Sequence, residues 1–375
     1  MKEQTATPSH LPVHYVVWRA AAGGAELSVK HYIDRFSPYR PVHVFSLRGS
    51  GNEIYDESKI RFQNGSDNNL ECYLRYFRYC RQHRRDLFHL MSVGPVILLI
   101  TLLAGARSPV YHIHGTIYWK KTLAKIYLKT AWHLASLFRT LFIANSRYSA
   151  SIFHKAVLPV QPKVIYNGFD VHTFLEKRSR RTGLRRMAYI GRLQPGKNVE
   201  LVIRLFREVA AEYPKLELHI AGDGALRPTL ERQASQSPHR DRIKFHGWVT
   251  DIAAFYGNVD LFVFLSAYES FGNVLPEALL TGLPVLTSNI PVFEEIYGGE
   301  ADFVLGNPER YEEIKENFRK ALAGYPQLAD DAFALSDRML QTFNIEHHLS
   351  EIENIYEQVE SARHILPLRG AGAIR

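Results

Sequence analysis

Short apolar runs alternate with amphipathic stretches along most of the chain. The runs are rich in Val, Ile, Leu and Phe, which is typical of strands buried on both faces. They predict strands at residues 13–18, 42–47, 87–91, 110–113, 142–145, 187–190, 216–221, 243–245, 261–265, 285–287 and 303–305. Helical periodicity predicts helices at residues 27–36, 70–81, 96–104, 117–142, 199–213, 274–281, 309–324, 329–341 and 345–362. Residues 49–69 are rich in Gly, Asn, Asp and Ser and are predicted to form a loop.

This alternation predicts an α/β protein with parallel sheets that helices cover on both faces. Ligands of such sheets bind beside the carboxyl ends of the strands. A chain of 375 residues is long enough for two domains with real cores. We predict a first domain at residues 1–175, completed by a C-terminal helix at 345–375. The second domain then covers residues 176–344, and the basic run at 177–186 is the linker.

Residues 87–106 form the one stretch whose length suits a membrane span. Polar residues and the pair Gly94-Pro95 interrupt it. We therefore interpret the stretch as a strand, a break and a buried helix from Val96 to Ala104.

The composition is ordinary for a soluble globular protein, with 46% apolar and 22% charged residues. The two cysteines, Cys72 and Cys80, provide neither a disulfide framework nor metal-binding spacing. A reduced, cytoplasmic compartment is the default expectation. The N-terminus lacks the basic-then-apolar order of a signal peptide, which agrees with this expectation.

Positive charge is concentrated in the first half of the chain. The formal net charge is +8, and no acidic residue occurs between Asp86 and Asp170. Anionic lipid, a lipid-linked phosphate or nucleic acid would each suit such a surface, and an unspecific solvated face is the alternative. The predicted helix at 117–142 is basic and aromatic, like an interfacial segment. A helix packed on its own domain explains the same pattern.

Residues 260–289 combine a buried strand, a polar loop with Glu269 and a helix with Glu277 in its first turn. The N-terminus of a helix suits a phosphate, whereas carboxylates suit hydroxyl donors. Hydroxyls on both sides of a phosphate indicate a nucleotide sugar, with ribose at one end and hexose at the other. The alternative is that Glu277 only complements the helix dipole and that Glu269 is solvated.

The same stretch resembles the E-x7-E signature of retaining glycosyltransferases of family 4, which have the GT-B fold. Glu269 and Glu277 are the two acids, and Gly282-x-Pro284-Val285 follows in the family's order. The resemblance implies two Rossmann-like domains facing across a cleft and a nucleotide-diphosphate sugar as substrate, with no separate cofactor. It implies a catalytic role for Glu269 on the sugar and a ribose contact for Glu277. The residues between them are expected to bind the donor, chiefly through backbone N–H groups: Ser270, Phe271, Gly272, Asn273 and Val274.

A glycine-rich segment after the strand at 187–190 has the G-x4-G-K spacing of a P-loop. Asn198 stands where a P-loop has Ser or Thr, and no convincing Walker B aspartate is present, so an ATPase is not favoured. The segment resembles the family's G-R-x4-K element, in which Arg192 and Lys197 neutralise the diphosphate. Two such cations can replace a metal ion, and the chain has no Asp-x-Asp motif. We therefore expect no metal in the reaction. Two surface cations on a loop are the alternative.

Two elements of the first domain also match the family. Gly23-Gly24-x-Glu26 resembles the G-G-x-E loop that faces the catalytic cleft, which makes Gly24 a donor-side residue. His114 follows a strand and precedes a glycine, and it matches the histidine beside the transferring sugar. His112, two residues earlier, is expected to be structural, because no third metal ligand stands near this pair.

The resemblance implies a retaining hexosyltransferase that moves a sugar to a glycan or lipid-linked acceptor in cell-surface polysaccharide or lipopolysaccharide biosynthesis. It would be cytoplasmic, and the basic half raises peripheral attachment to the inner membrane face as an option. No nucleic acid partner is expected. Two alternatives are kept: another GT-B enzyme with a soluble substrate, such as a sucrose-phosphate synthase or an epimerase, and a non-catalytic basic binding protein. A pure binder would not need Glu269, Glu277, Arg192 and Lys197 together.

Overall fold

A computed structural model describes residues 10–364, apart from residues 22, 50, 116–128, 136, 139 and 158–159. These residues form two compact units. The first consists of residues up to 166 together with the chain from 346 onward, and the second consists of residues 167–345. The division falls before the boundary predicted at residue 175.

Thirteen strands occur in the described part of the chain. They are β1 Val13–Arg19, β2 Val42–Arg48, β3 Arg61–Asn64, β4 Leu87–Met91, β5 Val110–Ile113, β6 Leu141–Ala144, β7 Lys163–Val164, β8 Arg186–Ile190, β9 Glu217–Ala221, β10 Ile243–Gly247, β11 Leu261–Phe264, β12 Val285–Ser288 and β13 Val304–Gly306. The helices are α1 Gly24–Phe36, α2 Asn69–Gln82, α3 Pro95–Leu103, α4 at 129–135, α5 Arg147–Ala156, α6 Val171–Leu175, α7 Val199–Val209, α8 Arg227–Ser235, α9 Ile252–Gly257, α10 Val274–Leu280, α11 Pro291–Tyr297, α12 Tyr311–Ala323, α13 Tyr325–Thr342 and α14 Ile345–His364.

The first unit contains a seven-stranded sheet in the order β3-β2-β1-β4-β5-β6-β7. Every recorded pairing in it is parallel. The central strands β1, β2, β4 and β5 are apolar and buried along most of their length. Strand order reverses between β1 and β4, so the loops after these two strands diverge at a topological switch point.

The second unit contains a six-stranded sheet in the order β10-β9-β8-β11-β12-β13. All of its recorded pairings are parallel as well. The chain runs from β8 outward through β9 to β10, and then returns to the other side of β8 as β11. The switch point therefore lies between β8 and β11, and the loops at 191–198 and 265–273 leave the sheet there.

The alternation of strands and helices predicted from sequence is confirmed, but two strands were missed, β3 and the short β7. β3 lies inside the segment that was predicted to be a loop. It is a polar edge strand, half exposed and paired with β2, so it has no apolar run to reveal it. The predicted break within residues 87–106 is confirmed, because β4 ends at Met91 and α3 begins at Pro95.

The basic and aromatic segment predicted at 117–142 lies largely outside the described residues, and only α4 and the start of β6 represent it. Among the helices that the structure describes, none combines the length and the apolar character needed to cross a bilayer.

The C-terminal helix α14 packs into the core of the first unit through polar contacts. The Tyr356 hydroxyl donates to the Tyr15 hydroxyl over 3.1 Å and lies 2.7 Å from Nδ1 of His89. Tyr39 donates to Glu353 over 2.6 Å. The buried bonds made by Tyr356 fix the docking of α14, because an unmade partner there would cost about 1–3 kcal/mol.

Buried neutral histidines surround this contact. His89 and His112 are fully buried on adjacent strands, with ring centroids 5.4 Å apart. Burial lowers the pKa of both imidazoles well below the ordinary value, and it lowers the pKa of His348 on α14 to about 4. The unfolded chain takes up protons at these positions below its ordinary pKa of about 6.5, while the folded chain does not. The contribution of these three histidines to the free energy of unfolding is therefore present at neutral pH and is lost as the pH falls.

We expect the free energy of unfolding to decrease between about pH 7 and about pH 5, and His112→Phe to weaken this decrease. Phenylalanine keeps a planar ring at a buried position but has no proton to take up. Urea unfolding at several pH values measures both quantities, and the same substitution at the exposed His172 is the control. Equal pH dependence in the wild type and His112→Phe would contradict the assignment.

Candidate functional site

The residues predicted to bind a donor in the second unit occupy the two loops of its switch point and the first turn of α10. Lys197 and Arg192 lie in the loop after β8, and Glu269 lies in the loop after β11. These strands are direct neighbours, with Leu261 paired to Met187. The carboxyl ends of parallel strands share one edge of the sheet, so topology brings together residues that are more than seventy positions apart in sequence.

Close backbone packing fixes the loop after β8. The backbone N–H of Leu193 donates to the carbonyl of Asp223 over 2.9 Å, and its own carbonyl accepts from Leu226 over 2.9 Å. Gly222 has a φ of +131°, and a Cβ atom there would lie 1.9 Å from the carbonyl oxygen of Gly191. A Cβ atom at Gly224 would lie 2.4 Å from the carbonyl oxygen of Leu193. The G-x-G element after β9 therefore allows neighbouring loops to approach each other.

The two switch-point loops are also hydrogen-bonded to each other. Asn198 adopts a left-handed conformation with φ of 52°, and its side-chain amide donates to the carbonyl of Leu265 over 2.8 Å. The backbone N–H of Ala267 donates to the carbonyl of Gly196 over 2.8 Å. Asn198, at the position where a P-loop has Ser or Thr, therefore holds the loop after β8 against the loop after β11.

Lys197 and Glu269 form an ion pair with each other. The ammonium of Lys197 donates to Oε1 of Glu269, and the hydroxyl of Ser266 donates to the same oxygen over 3.0 Å. The exposed fractions of the two charged side chains are only 16% and 13%. Attraction is stronger in such a partly desolvated place than at an exposed surface. A ligand that takes either charge must share or separate this pair.

Ser266 is itself held by the next strand. The hydroxyl of Ser288, at the end of β12, donates to the carbonyl of Ser266 over 2.6 Å. Both serines are fully buried. This support for Glu269 was not predicted from sequence, because an isolated serine carries no signal until the sheet order is known.

Glu277 is the second carboxylate of the candidate site, and its side chain is half-buried. It lies in the first turn of α10, and the hydroxyl of Tyr256 donates to its Oε2 over 3.2 Å. Burial raises the pKa of Glu277 to about 7, against the opposing effect of this hydrogen bond. This desolvation does not agree with the alternative in which Glu277 is solvated and only complements the helix dipole. Tyr256 on α9 is a second partner that the sequence did not reveal.

The residues between Glu269 and Glu277 have different structural roles. Phe271 is buried, with its ring centroid 5.6 Å from that of Phe343, so its side chain serves the core. Gly272 has a φ of +80°, a conformation that glycine adopts without strain. At the start of α10, the backbone N–H groups of Leu275 and Glu277 donate to the carbonyls of residues 272 and 273. The backbone N–H groups of Asn273 and Val274 precede these bonds, in the place where helices offer N–H groups to a ligand.

The remaining predicted positions in this unit differ in exposure. Asn273 accepts a 2.8 Å hydrogen bond at its Oδ1 from the side-chain amide of Asn167. The carbonyl of Val274 accepts from Tyr256 over 3.1 Å. Ser270 is half-buried, and Arg192 is exposed. The structure thus places Arg192 at the solvent side of the same loop that holds Lys197.

His114 and Gly24 belong to the first unit. Gly24 is the first residue of α1, and His114 directly follows β5. The backbone N–H of His114 donates to the hydroxyl of Ser92 over 3.0 Å. Burial lowers the pKa of the His114 imidazole to about 3, so the ring is neutral near pH 7. A neutral imidazole can donate one hydrogen bond and accept another, but it is not a cationic acid.

Sequence profiles identify the family of the chain. The profile described as Glycosyltransferase Family 4 matches residues 22–173, and the profile described as Glycosyl transferases group 1 matches residues 171–332. Together they span both units. The chain belongs to glycosyltransferase family 4, and the family resemblance seen in the motifs is confirmed.

Individual relatives are distant. A GDP-mannose:cellobiosyl-diphosphopolyprenol alpha-mannosyltransferase from Xanthomonas campestris is 25% identical over 236 residues, which is 60% of this chain and 61% of the relative. The chain thus spans about three fifths of that relative's length. The O-antigen biosynthesis glycosyltransferase WclY from Escherichia coli is 20% identical over 308 residues, or 76% of this chain and 82% of the relative.

A solved structure confirms the fold. Anabaena HepE, crystallised in complex with UDP and glucose, superposes with a TM-score of 0.75. The match covers 93% of this chain and 100% of that chain at 20% sequence identity. At this identity the likeness concerns the fold, and it confirms the GT-B architecture of two parallel-sheet units.

The close packing at Gly222 makes a stability prediction. We expect Gly222→Ala to destabilise the protein by about 2–4 kcal/mol, because it adds both a clash with Gly191 and backbone strain. Urea or thermal unfolding measures the change. Gly183→Ala is the matched control, since Gly183 is exposed and a Cβ atom there meets nothing within 4 Å. Equal stability of the two variants would contradict the packing argument.

Proposed function

We propose that the protein is a glycosyltransferase that takes its sugar from a nucleoside-diphosphate donor bound at the switch point of the second unit. The observation that carries this proposal is a shielded ion pair on two hydrogen-bonded loops, with a half-buried carboxylate of raised pKa in the adjoining first turn of α10. A structural role alone would not require a carboxylate with a raised pKa at the start of a helix. Membership of the family supports the same activity.

Each charged group of the site suits one part of a nucleotide sugar. Lys197 and the exposed Arg192 are fixed on one loop and would neutralise the diphosphate. Glu277 would accept hydrogen bonds from ribose hydroxyls, which are strong bonds when the acceptor is ionised and shielded from water. Glu269 would accept from sugar hydroxyls once the diphosphate draws Lys197 away from it. The ion pair therefore keeps both side chains in place until the donor arrives.

The chemistry we propose proceeds with retention of the anomeric configuration and without a metal ion. The bond between the anomeric carbon and the donor phosphate oxygen breaks, and the acceptor oxygen bonds to the same face of that carbon. The acceptor proton passes to the departing phosphate oxygen. Lys197 and Arg192 would stabilise the charge that develops on the diphosphate. The neutral imidazole of His114 would serve as a hydrogen-bonding group for the sugar, and Gly24 would allow close approach of backbone.

For the acceptor, we propose a glycan or a lipid-linked saccharide at the cytoplasmic face of a membrane. The basic stretch between Asp86 and Asp170, which contains no acidic residue, supports an anionic acceptor or surface. The names of the relatives support it too, since one acts with a diphosphopolyprenol and another in O-antigen biosynthesis. Transfer to a soluble sugar phosphate, with no stimulation by anionic vesicles, would favour the soluble-substrate alternative instead.

We expect Glu277→Gln to weaken binding of a nucleoside diphosphate by about 2–3 kcal/mol, or roughly 30- to 160-fold, because a charged acceptor is lost. Calorimetric titration with UDP, GDP and ADP measures the affinity and identifies the base. Glu309→Gln, at an exposed position in the same unit, is the control. Unchanged affinity in Glu277→Gln would remove this residue from the site.

The raised pKa of Glu277 adds a prediction about pH. Ribose hydroxyls bind the ionised carboxylate, so protonation below a pKa of about 7 should weaken donor binding. We expect about tenfold weaker binding near pH 6 than near pH 8, and a flat profile in Glu277→Gln. A nucleotide sugar is the suitable probe, because its bridging diphosphate does not titrate in this range. Tighter binding on acidification would contradict the assigned role.

A further inference from the structure

A second cluster of ligand-type side chains lies in the first unit, far along the sheet from His114 and Gly24. It consists of His14, His83 and Asp86. His14 lies near the start of β1, at the edge of the sheet opposite to the ends that precede Gly24 and His114. Among the residues that the structure describes, this is the one group of three such side chains whose ligand atoms lie within 4.8 Å of one another.

The three ligand atoms lie within 4.8 Å of one another. Oδ2 of Asp86 lies 3.0 Å from Nε2 of His14 and 3.2 Å from Nδ1 of His83. Ligands of a tetrahedral zinc ion with bonds of about 2.0–2.1 Å are separated by about 3.3 Å. The two separations from Asp86 are therefore close to those expected around a small ion bound by all three groups.

The backbone brings two of these ligands together by a tight turn. His83 caps the end of α2, and the backbone N–H of Asp86 donates to the carbonyl of His83 over 2.8 Å. The third ligand, His14, comes from β1, which pairs with β4 immediately after the turn. An ion held by all three would tie the connection between α2 and β4 to the first strand of the sheet.

The His14 ring is oriented in advance. It lies between His43, with ring centroids 4.3 Å apart, and Phe88, with centroids 4.8 Å apart, and both rings are stacked on it. Its other nitrogen, Nδ1, is hydrogen-bonded to the hydroxyl of Tyr79. Metal-bound histidines characteristically use their second nitrogen in this way, which fixes the ring and leaves the first nitrogen for the ion.

The cluster is also accessible to an ion from solvent. The exposed fraction of the side chain is 29% for His83 and 21% for Asp86, while His14 is fully buried. Two imidazoles and one carboxylate are a donor set that favours zinc over magnesium or calcium. Three protein ligands leave the fourth position for water.

From this cluster of His14, His83 and Asp86, we propose that the first unit binds a single divalent transition-metal ion, zinc by its donor set, in a structural role. The ion fastens the α2–β4 turn to β1. This site is separate from the donor site of the second unit, so nucleotide binding by zinc-free protein is measured independently of it.

Titration of the chelator-treated full chain with zinc chloride tests the proposal. We expect one equivalent to bind the wild type and to raise its melting temperature. His83→Ala and Asp86→Asn should each weaken binding at least about tenfold and abolish the shift. Both positions are partly exposed, and Asp86→Asn keeps the shape of the side chain, so folding is expected to survive. Cobalt should show the visible spectrum of four-coordinate ions in the wild type and lose it in both variants.

His246→Ala is the control variant, because His246 lies in an exposed group of the second unit with His219, 3.0 Å away between ring nitrogens. We expect it to bind zinc like the wild type. The proposal is overturned if the wild type binds no zinc, which would make the cluster a hydrogen-bonded polar group. It is also overturned if His83→Ala and Asp86→Asn bind as the wild type does, or if only His246→Ala loses binding.

Discussion

The close contact between the loops that leave β8, β9 and β11 is the constraint on which the proposed donor site depends. Backbone atoms of residues 191–193 lie against residues 222–224 at distances that leave no room for a Cβ atom. The loop after β8 is fixed from one side by these glycines and from the other by the bond from Asn198 to Leu265. Lys197 therefore reaches Glu269 from a rigid backbone, and less conformational entropy is lost when a ligand orders the site.

The site places two carboxylates in different electrostatic surroundings. Glu269 has a cation and the Ser266 hydroxyl beside it, whereas burial next to the Tyr256 hydroxyl raises the pKa of Glu277 to about 7. Exposed ion pairs contribute at most about 1 kcal/mol to stability. Lys197 and Glu269 are partly shielded from water, so the attraction between their charges is stronger than in an exposed pair. A donor that supplies negative charge to Lys197 and hydroxyls to both carboxylates would satisfy all three groups at once.

Much of the fold follows from the sequence, because strands buried on both faces must be continuous apolar runs and the helices between them must be amphipathic. β3 escaped prediction since an edge strand such as Arg61–Asn64 needs no apolar run. The acids and cations of the donor site were also predictable as residues, from their positions after strands and from the family motif. Their mutual contact was not, because pairing Lys197 with Glu269 requires the order of the strands. Ser266, Tyr256 and the His14 cluster are assembled from separate elements and have no local signature.

The most direct measurement is a crystal structure of the full chain with a non-hydrolysed nucleotide sugar. The account predicts diphosphate oxygens within hydrogen-bonding distance of Lys197 and Arg192, with ribose hydroxyls on the carboxylate of Glu277. It also predicts that Oε1 of Glu269 has moved from the ammonium of Lys197 to a sugar hydroxyl. A nucleotide bound elsewhere, with the ion pair intact and Glu277 untouched, would contradict the assignment of this switch point as the donor site.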